Sequence, residues 1–149
     1  MGWSRILVPV DGSANAFKAA QQAIDLAKCC EAELEFLHVV NLTASLGIPS
    51  AVGSKEKDTS VLEDAIDHGR KILDQLLDLV PPEVKAKGHC VSGSTEKVIL
   101  QEAEASRCDL IVMGSRGLGA LRAVLVGSIS CAVLNNASCS VMLIKADKK

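Results

Sequence analysis

Two glycine-bearing pieces carry the chemistry of this chain. Met113-Gly114-Ser115-Arg116-Gly117-Leu118-Gly119 follows the apolar run Leu110-Ile111-Val112, and Gly127-Ser128-Ile129-Ser130 begins ten residues after Gly117. Glycine lets a backbone approach an anion closely and adopt positive φ. The N–H groups of such a loop, or of a helix's first turn, point at negative charge with help from the helix dipole. Ser128 is placed to cap the helix that follows and to turn its hydroxyl toward a phosphate oxygen, with Ser130 as a second donor in the first turn. The pattern predicts a phosphate cradle, hence a nucleotide. Better-known phosphate loops do not fit: no lysine follows these glycines as a Walker loop requires, and no G-x-G-x-x-G directly follows a strand. The plain alternative is a glycine turn followed by a serine cap, which accounts for each piece separately but not for both together.

Other chemistries lack their residues. No Ser or Cys has a His that the sequence could place in reach, so no catalytic residue is assigned, and no H-x-x-x-H or comparable spacing offers a metal ligand set from the protein alone. The six cysteines, Cys29, Cys30, Cys90, Cys108, Cys131 and Cys139, contain no C-x-x-C pair and read as free thiols that pack like small apolar residues. His38 is expected to pack or hydrogen-bond at the end of the second strand, and His68 and His89 to be surface or packing residues.

Composition narrows the classes further. At 149 residues, 48% hydrophobic and 23% charged, the chain matches one globular domain spanning residues 1–149. A net charge of −2 and only three aromatic residues, Trp3, Phe17 and Phe36, argue against a nucleic-acid surface. No apolar run approaches the roughly 18 residues of a membrane span. Reduced thiols without a cleavable N-terminal apolar segment point to the cytoplasm. The start Met1-Gly2-Trp3-Ser4-Arg5-Ile6 lacks the hydroxyl residue that myristoylation wants where Ile6 stands.

The elements that must position the glycines are legible as short β-branched runs alternating with segments of helical period. None of the runs alternates polar with apolar, as expected of a parallel sheet covered on both faces. Strands are predicted at Ile6 to Val8 (closed by Pro9), Leu34 to Val40, near Val84 to Cys90, Leu110 to Met113, and Val141 to Ile144. Helices are predicted from Ala14 to Cys30, Thr59 to Leu79 (stopped by Pro81-Pro82), from Ser94 or Thr95 with a hydroxyl cap, and after Gly127 to Asn136. The stretch Asn41 to Lys57 is long for a βα connection and reads as functional or mobile. These βα units give an α/β doubly wound sheet with right-handed crossovers. Ligands of such sheets sit beyond the carboxyl ends of the strands where the winding reverses. An order 3-2-1-4-5 would set Pro9-Val10-Asp11-Gly12-Ser13 beside Met113 to Gly117, with Asp11 pointing into the crevice or serving as a turn residue.

Taken together, Ile6 to Ser13, Leu37-His38-Val39 and Gly114-x2-Gly117-x9-Gly127-Ser128 resemble the universal stress protein family, in its ATP-binding branch, over nearly the whole chain. The resemblance implies a five-stranded parallel Rossmann-like sheet, with helices on both faces, like that of adenine-nucleotide α-hydrolases. It implies a homodimer through Ser140 to Lys145, an edge strand of the kind that needs pairing, and ATP or AMP held between strands one and four, with Mg²⁺ accompanying a triphosphate. By the same resemblance Pro9, Val10 and Asp11 lie beside adenine and ribose, and the main chain of Val39 reads the base edge. Met113 and Gly114 border the ribose, while Gly117, Gly127, Ser128, Ile129 and Ser130 surround the phosphates mainly through N–H groups. Arg116 stands where a cation could screen phosphate charge. The role implied is a nucleotide-dependent sensor in stress response, whose occupancy orders Leu118 to Val126 and the Asn41 to Lys57 stretch for a downstream protein. The alternatives are a slow ATPase or an enzyme phosphorylating its own Ser128 or Ser130, and a dimeric scaffold without ligand.

Overall fold

The structure, a computed structural model, describes residues 2–42, 55–117 and 126–147. Its elements in chain order are β1 (Arg5–Pro9), α1 (Ala14–Cys30), β2 (Glu33–Val40), α2 (Lys55–Leu79), β3 (Ala86–Ser92), α3 (Thr95–Ala105), β4 (Leu110–Gly114), α4 (Ser128–Asn136) and β5 (Ser140–Ile144). All pairings are parallel, in the order β3-β2-β1-β4-β5. This is the α/β sheet that the sequence predicts.

Both faces of the strands are apolar because both are covered. On β1, Ile6 and Val8 face α1 and α2 together with Leu34, Phe36, Leu110 and Val112, while Leu7 faces α3 and α4 with Leu37, Ile111 and Met113. The first layer is filled on the helix side by the alanine-rich stripe Ala16, Ala19, Ala20, Ala23, Ile24 and Ala27 of α1 and by Ile72, Leu73 and Leu76 of α2. Small residues let α1 lie close against the strands. Val98, Ile99, Ala103 and Val133 close the second layer. The N-terminus is tied to the start of β4 by Asp109, whose carboxylate accepts from the N–H groups of Ser4 at 2.9 Å and Arg5 at 3.0 Å.

Two local expectations are corrected. β3 lies two residues later than predicted, because Val84 belongs to the turn in which its N–H donates to Pro81 O at 3.0 Å. Ser94 occupies the N-cap position of α3, but its side chain makes no capping bond. Among the described residues no helix follows β5; the five strands are covered by four helices, as the sequence predicts, and none of the four is long and apolar enough to cross a membrane. Residues 43–54 of the long connection and 118–125 of the glycine segment, Leu118 and Gly119 included, lie outside the described residues.

The topology opens a crevice. β1 and β4 pair only at Ile6↔Leu110 and Leu7↔Ile111, so their ladder stops before the carboxyl end of either strand. Beyond that point β1 stays paired with β2 as far as Pro9↔Leu37, and β4 pairs on with β5 as far as Gly114↔Ile144. The winding reverses between them, at the place where open α/β sheets take ligands.

Candidate functional site

The turn after β1 is built by its own side chains. Gly12 has φ +87, a left-handed conformation that favours glycine. The Asp11 carboxylate accepts from Ser13 N–H at 2.9 Å, and the Ser13 hydroxyl accepts from Ala16 N–H at 3.1 Å, which caps α1. Asp11 is therefore a turn residue. It also faces the opposite turn: a Cβ added at Gly117 would come 2.5 Å from its Oδ2. Gly114 is similarly confined, since a Cβ there would lie 2.7 Å from Asn15 Oδ1. Among the glycines of the two pieces within the described residues, none has positive φ. Close approach between the two turns, rather than backbone conformation, accounts for Gly114 and Gly117.

Asn15, which the sequence reading did not single out, fastens these turns together. Its Nδ2 donates to Ile144 O at 2.9 Å, and its Oδ1 accepts from Arg116 N–H at 2.9 Å. It is buried in the first turn of α1, where alanine would be the better helix former. That mismatch between propensity and position was the signal available in the sequence.

The two glycine pieces meet. Gly127 N–H donates to Ser115 O at 2.6 Å, Ser115 N–H donates to Ile144 O at 2.9 Å, and Ser130 Oγ donates to Gly114 O at 2.9 Å. These bonds revise the donor set. The cap of α4 is Gly127, not Ser128, and no side chain caps this helix. Gly127 N–H is committed, and Ser130, 3% exposed, has its hydroxyl committed as well. Intrahelical bonding starts with Cys131 N–H to Gly127 O at 2.9 Å, so the N–H groups of Ser128, Ile129 and Ser130 precede it and have no helical acceptor. Ser128 is exposed. Beside them the Ser115 hydroxyl is buried without a hydrogen-bond partner. Around Gly127, among the described residues, a Cβ would meet nothing nearer than Ser115 O at 3.5 Å, so their packing does not require glycine there.

The remaining predicted residues surround this centre unevenly. Val10 is buried in the α1 and α2 layer, with its N–H donating to Leu37 O at 2.8 Å and its carbonyl facing His38 Nδ1 at 2.9 Å, so both of its main-chain groups already have partners. A carbonyl can only accept, so His38 carries its proton on Nδ1. Burial holds the pKa of His38 below the ordinary 6.5, against the opposing pull of the Val10 carbonyl. Pro9 ends β1 opposite Leu37, and Val39 lies past the end of that ladder, paired with Val91 on its other side. Met113 is buried in the α3 and α4 layer, so its side chain belongs to the core. Ile129 packs against that same layer, and Arg116 follows Ser115 with its N–H on Asn15.

A second cluster was invisible in the sequence. Glu35 of β2, His89 of β3 and Glu102 of α3 converge on the α3 face: His89 Nδ1 lies 3.3 Å from Glu35 Oε1 and 3.5 Å from Glu102 Oε1. His89 is thus not a plain surface residue. Burial, then the neighbouring Glu102 carboxyl, pushes the Glu35 pKa up to about 7, only partly offset by Lys87.

The chain can be compared with known proteins on this basis. The model of the universal stress protein family matches residues 2–145. Universal stress protein MJ0531 of Methanocaldococcus jannaschii is 33% identical over 148 residues, covering 99% of this chain and 85% of that protein. The structure of universal stress protein UspA from Lactobacillus plantarum superposes with a TM-score of 0.80 at 27% identity, covering 97% of this chain and 99% of that one. A family protein from Arabidopsis thaliana with AMP bound superposes at 0.69 with 22% identity, over 97% and 92% of the two chains. A universal stress protein in complex with cAMP superposes at 0.66 with 17% identity, over 97% and 98%. With the family model covering all but the ends and a relative one-third identical along nearly the whole length, the chain belongs to the universal stress protein family.

Proposed function

We propose that the chain is an adenine-nucleotide-binding regulatory module, with the nucleotide held at the rim between β1 and β4. The observation that carries this reading is the uncapped first turn of α4: the N–H groups of Ser128, Ile129 and Ser130 have no helical acceptor beside the buried, unpartnered Ser115 hydroxyl. Donors at a helix N-terminus without a helical acceptor suit a phosphate. Gly127, whose missing side chain the packing of the described residues does not demand, leaves room among them for it to approach. The AMP-bound and cAMP-bound neighbours are consistent with an adenine nucleotide.

In this reading the first turn of α4 holds the phosphates, with Gly117 lining their approach and the Arg116 side chain screening their charge. Asp11, Met113 and Gly114 border the ribose. Pro9, Val10 and the Val39 main chain line the base. A triphosphate brings Mg²⁺, and Asp11 is the carboxylate of the β1 turn that faces the crevice. Binding is the output: occupancy alters the rim surface that a downstream protein reads in the cytoplasm, and β5, an edge of the sheet, pairs with β5 of a second copy through Ser140 to Lys145. The buried and committed Ser130 hydroxyl leaves Ser128 as the residue on which a self-phosphorylating reading would rest.

Calorimetry of the full chain with AMP, and with ATP with and without Mg²⁺, tests the proposal. Saturable binding of one nucleotide per chain supports it. Absence of binding at millimolar nucleotide removes it.

A further inference from the structure

We propose that Glu35, His89 and Glu102 form a site for a divalent transition-metal ion of the zinc type, on the α3 face of the sheet and separate from the nucleotide rim. The three residues come from β2, β3 and α3, so only the fold brings them together. Glu35 stands in the first half of β2 and points to the same face as Leu37, whereas the crevice lies beyond the carboxyl ends of β1 and β4.

The distances favour a shared ion. Ligand atoms on a tetrahedral ion with bond lengths of about 2.0–2.2 Å lie roughly 3.3–3.6 Å from one another. His89 Nδ1 sits 3.3 Å from Glu35 Oε1 and 3.5 Å from Glu102 Oε1, and the three candidate ligand atoms all fall within 4.8 Å of each other. A hydrogen-bonded triad explains the arrangement less well. One Nδ1–H cannot donate well to two carboxylates, and with both carboxyls ionised Glu35 Oε1, on a side chain that is 7% exposed, has no hydrogen-bond partner. A buried carboxylate oxygen without a partner is costly unless it meets a proton or a cation. Lys87 does not answer it, since its ammonium lies 3.9 Å from the other oxygen, Oε2, and is largely exposed.

One imidazole nitrogen and two carboxylate oxygens suit zinc, and three protein ligands leave the fourth position to water. Glu35 also lines a pocket of about 450 Å³, together with Arg5, Glu33, Lys85 and Lys87. The ion's structural effect would be to join β2, β3 and α3 at one point.

The test uses the full chain without nucleotide, stripped by chelator under reducing conditions and titrated with Co²⁺, followed by Zn²⁺ competition. Expected are one equivalent of Co²⁺ with visible ligand-field bands of nitrogen and oxygen ligation, displacement by Zn²⁺, and a higher Tm with metal. Glu35→Gln and His89→Gln should each weaken binding by more than about tenfold, the least that losing even an outer partner of a ligand costs. Glu35→Gln conserves volume and removes the buried charge, so the metal-free variant should melt no lower than the parent. Unsaturable uptake, or uptake unchanged in the Glu35→Gln/His89→Gln double variant, overturns the proposal. So does an intense near-ultraviolet thiolate band, which would assign the ion to Cys108 and Cys139, whose Sγ atoms lie 3.8 Å apart.

Discussion

Replacing Asn15 with aspartate changes one group in a buried side chain and turns a donor into an acceptor. The Oδ1 side is unaffected, because a carboxylate still accepts from Arg116 N–H. On the other side an oxygen would stand 2.9 Å from Ile144 O, which already accepts from Ser115 N–H, so a bond becomes a repulsion. Losing a buried hydrogen bond and leaving its partners mismatched costs about 1–3 kcal/mol, and enclosing a charge in a side chain that is 9% exposed adds to it. A total of about 2–4 kcal/mol is a large share of the 5–15 kcal/mol or so typical of a whole domain. At about 2–4 °C per kcal/mol for a chain of this size, the Tm should fall by about 5–15 °C. Protonating the new carboxyl restores a donor toward Ile144 O, so the deficit of Asn15→Asp should shrink as pH falls from 8 to 5. Urea denaturation of parent and variant at both pH values measures this. Because Asn15 also sets the spacing of the β1 and β4 turns, AMP affinity should drop with the loss of stability. A deficit below about 1 kcal/mol, or one independent of pH, would refute the assignment of Asn15 as the tie between the two turns.

Gly69→Ala, in the middle of α2, should destabilise although alanine gains about 1 kcal/mol in helix propensity over glycine, because its Cβ would strike the ring of buried His38 and lie 3.0 Å from Cys90 Sγ. A variant that melts above the parent contradicts this. Gly117→Val should displace Asp11 and lower nucleotide affinity more than tenfold while circular dichroism stays native, and unchanged affinity counts against the crevice. Cys29 and Cys131 are exposed, whereas burial and then the adjacent Cys139 push the Cys108 pKa up to about 12, so mass-spectrometric mapping of alkylation at pH 8 should find Cys108 last. His38 should stay neutral below the ordinary 6.5: the unfolded chain then binds a proton that the folded chain refuses, and acidification from that value downward costs stability, which replacing His38 with a non-titrating residue should flatten.

The fold was legible because both faces of each strand are covered, which wrote Ile6, Leu7 and Val8 or Leu110, Ile111 and Val112 as unbroken apolar runs. α1 was legible from the helical period of its apolar stripe, and the structure adds the Ser13 hydroxyl that caps it. β3 was displaced because Val84 looks like a strand residue while Gly88 and His89 do not. The meeting of the β1 turn with the β4 turn could be anticipated from the strand order that sets β1 beside β4, and the two glycine pieces share the one connection from β4 to α4. Which donors stay free could not be read from residue types: Gly127 N–H and the Ser130 hydroxyl are consumed by Ser115 O and Gly114 O. Glu35, His89 and Glu102 carry no local signature at all, because their proximity depends on the β2–β3 register and on where α3 lies across it.

The claim that the uncapped turn of α4 receives the phosphates is tested most directly by the backbone amide signals of labelled full-length chain during titration with AMP and ATP. The amides of Ser128, Ile129 and Ser130 should shift in saturable fashion and further than those along β3, at the far edge of the sheet, while Gly127, already bonded to Ser115, moves less. Nucleotide that leaves the α4 amides in place, or shifts chiefly the signals of β3, would contradict the account.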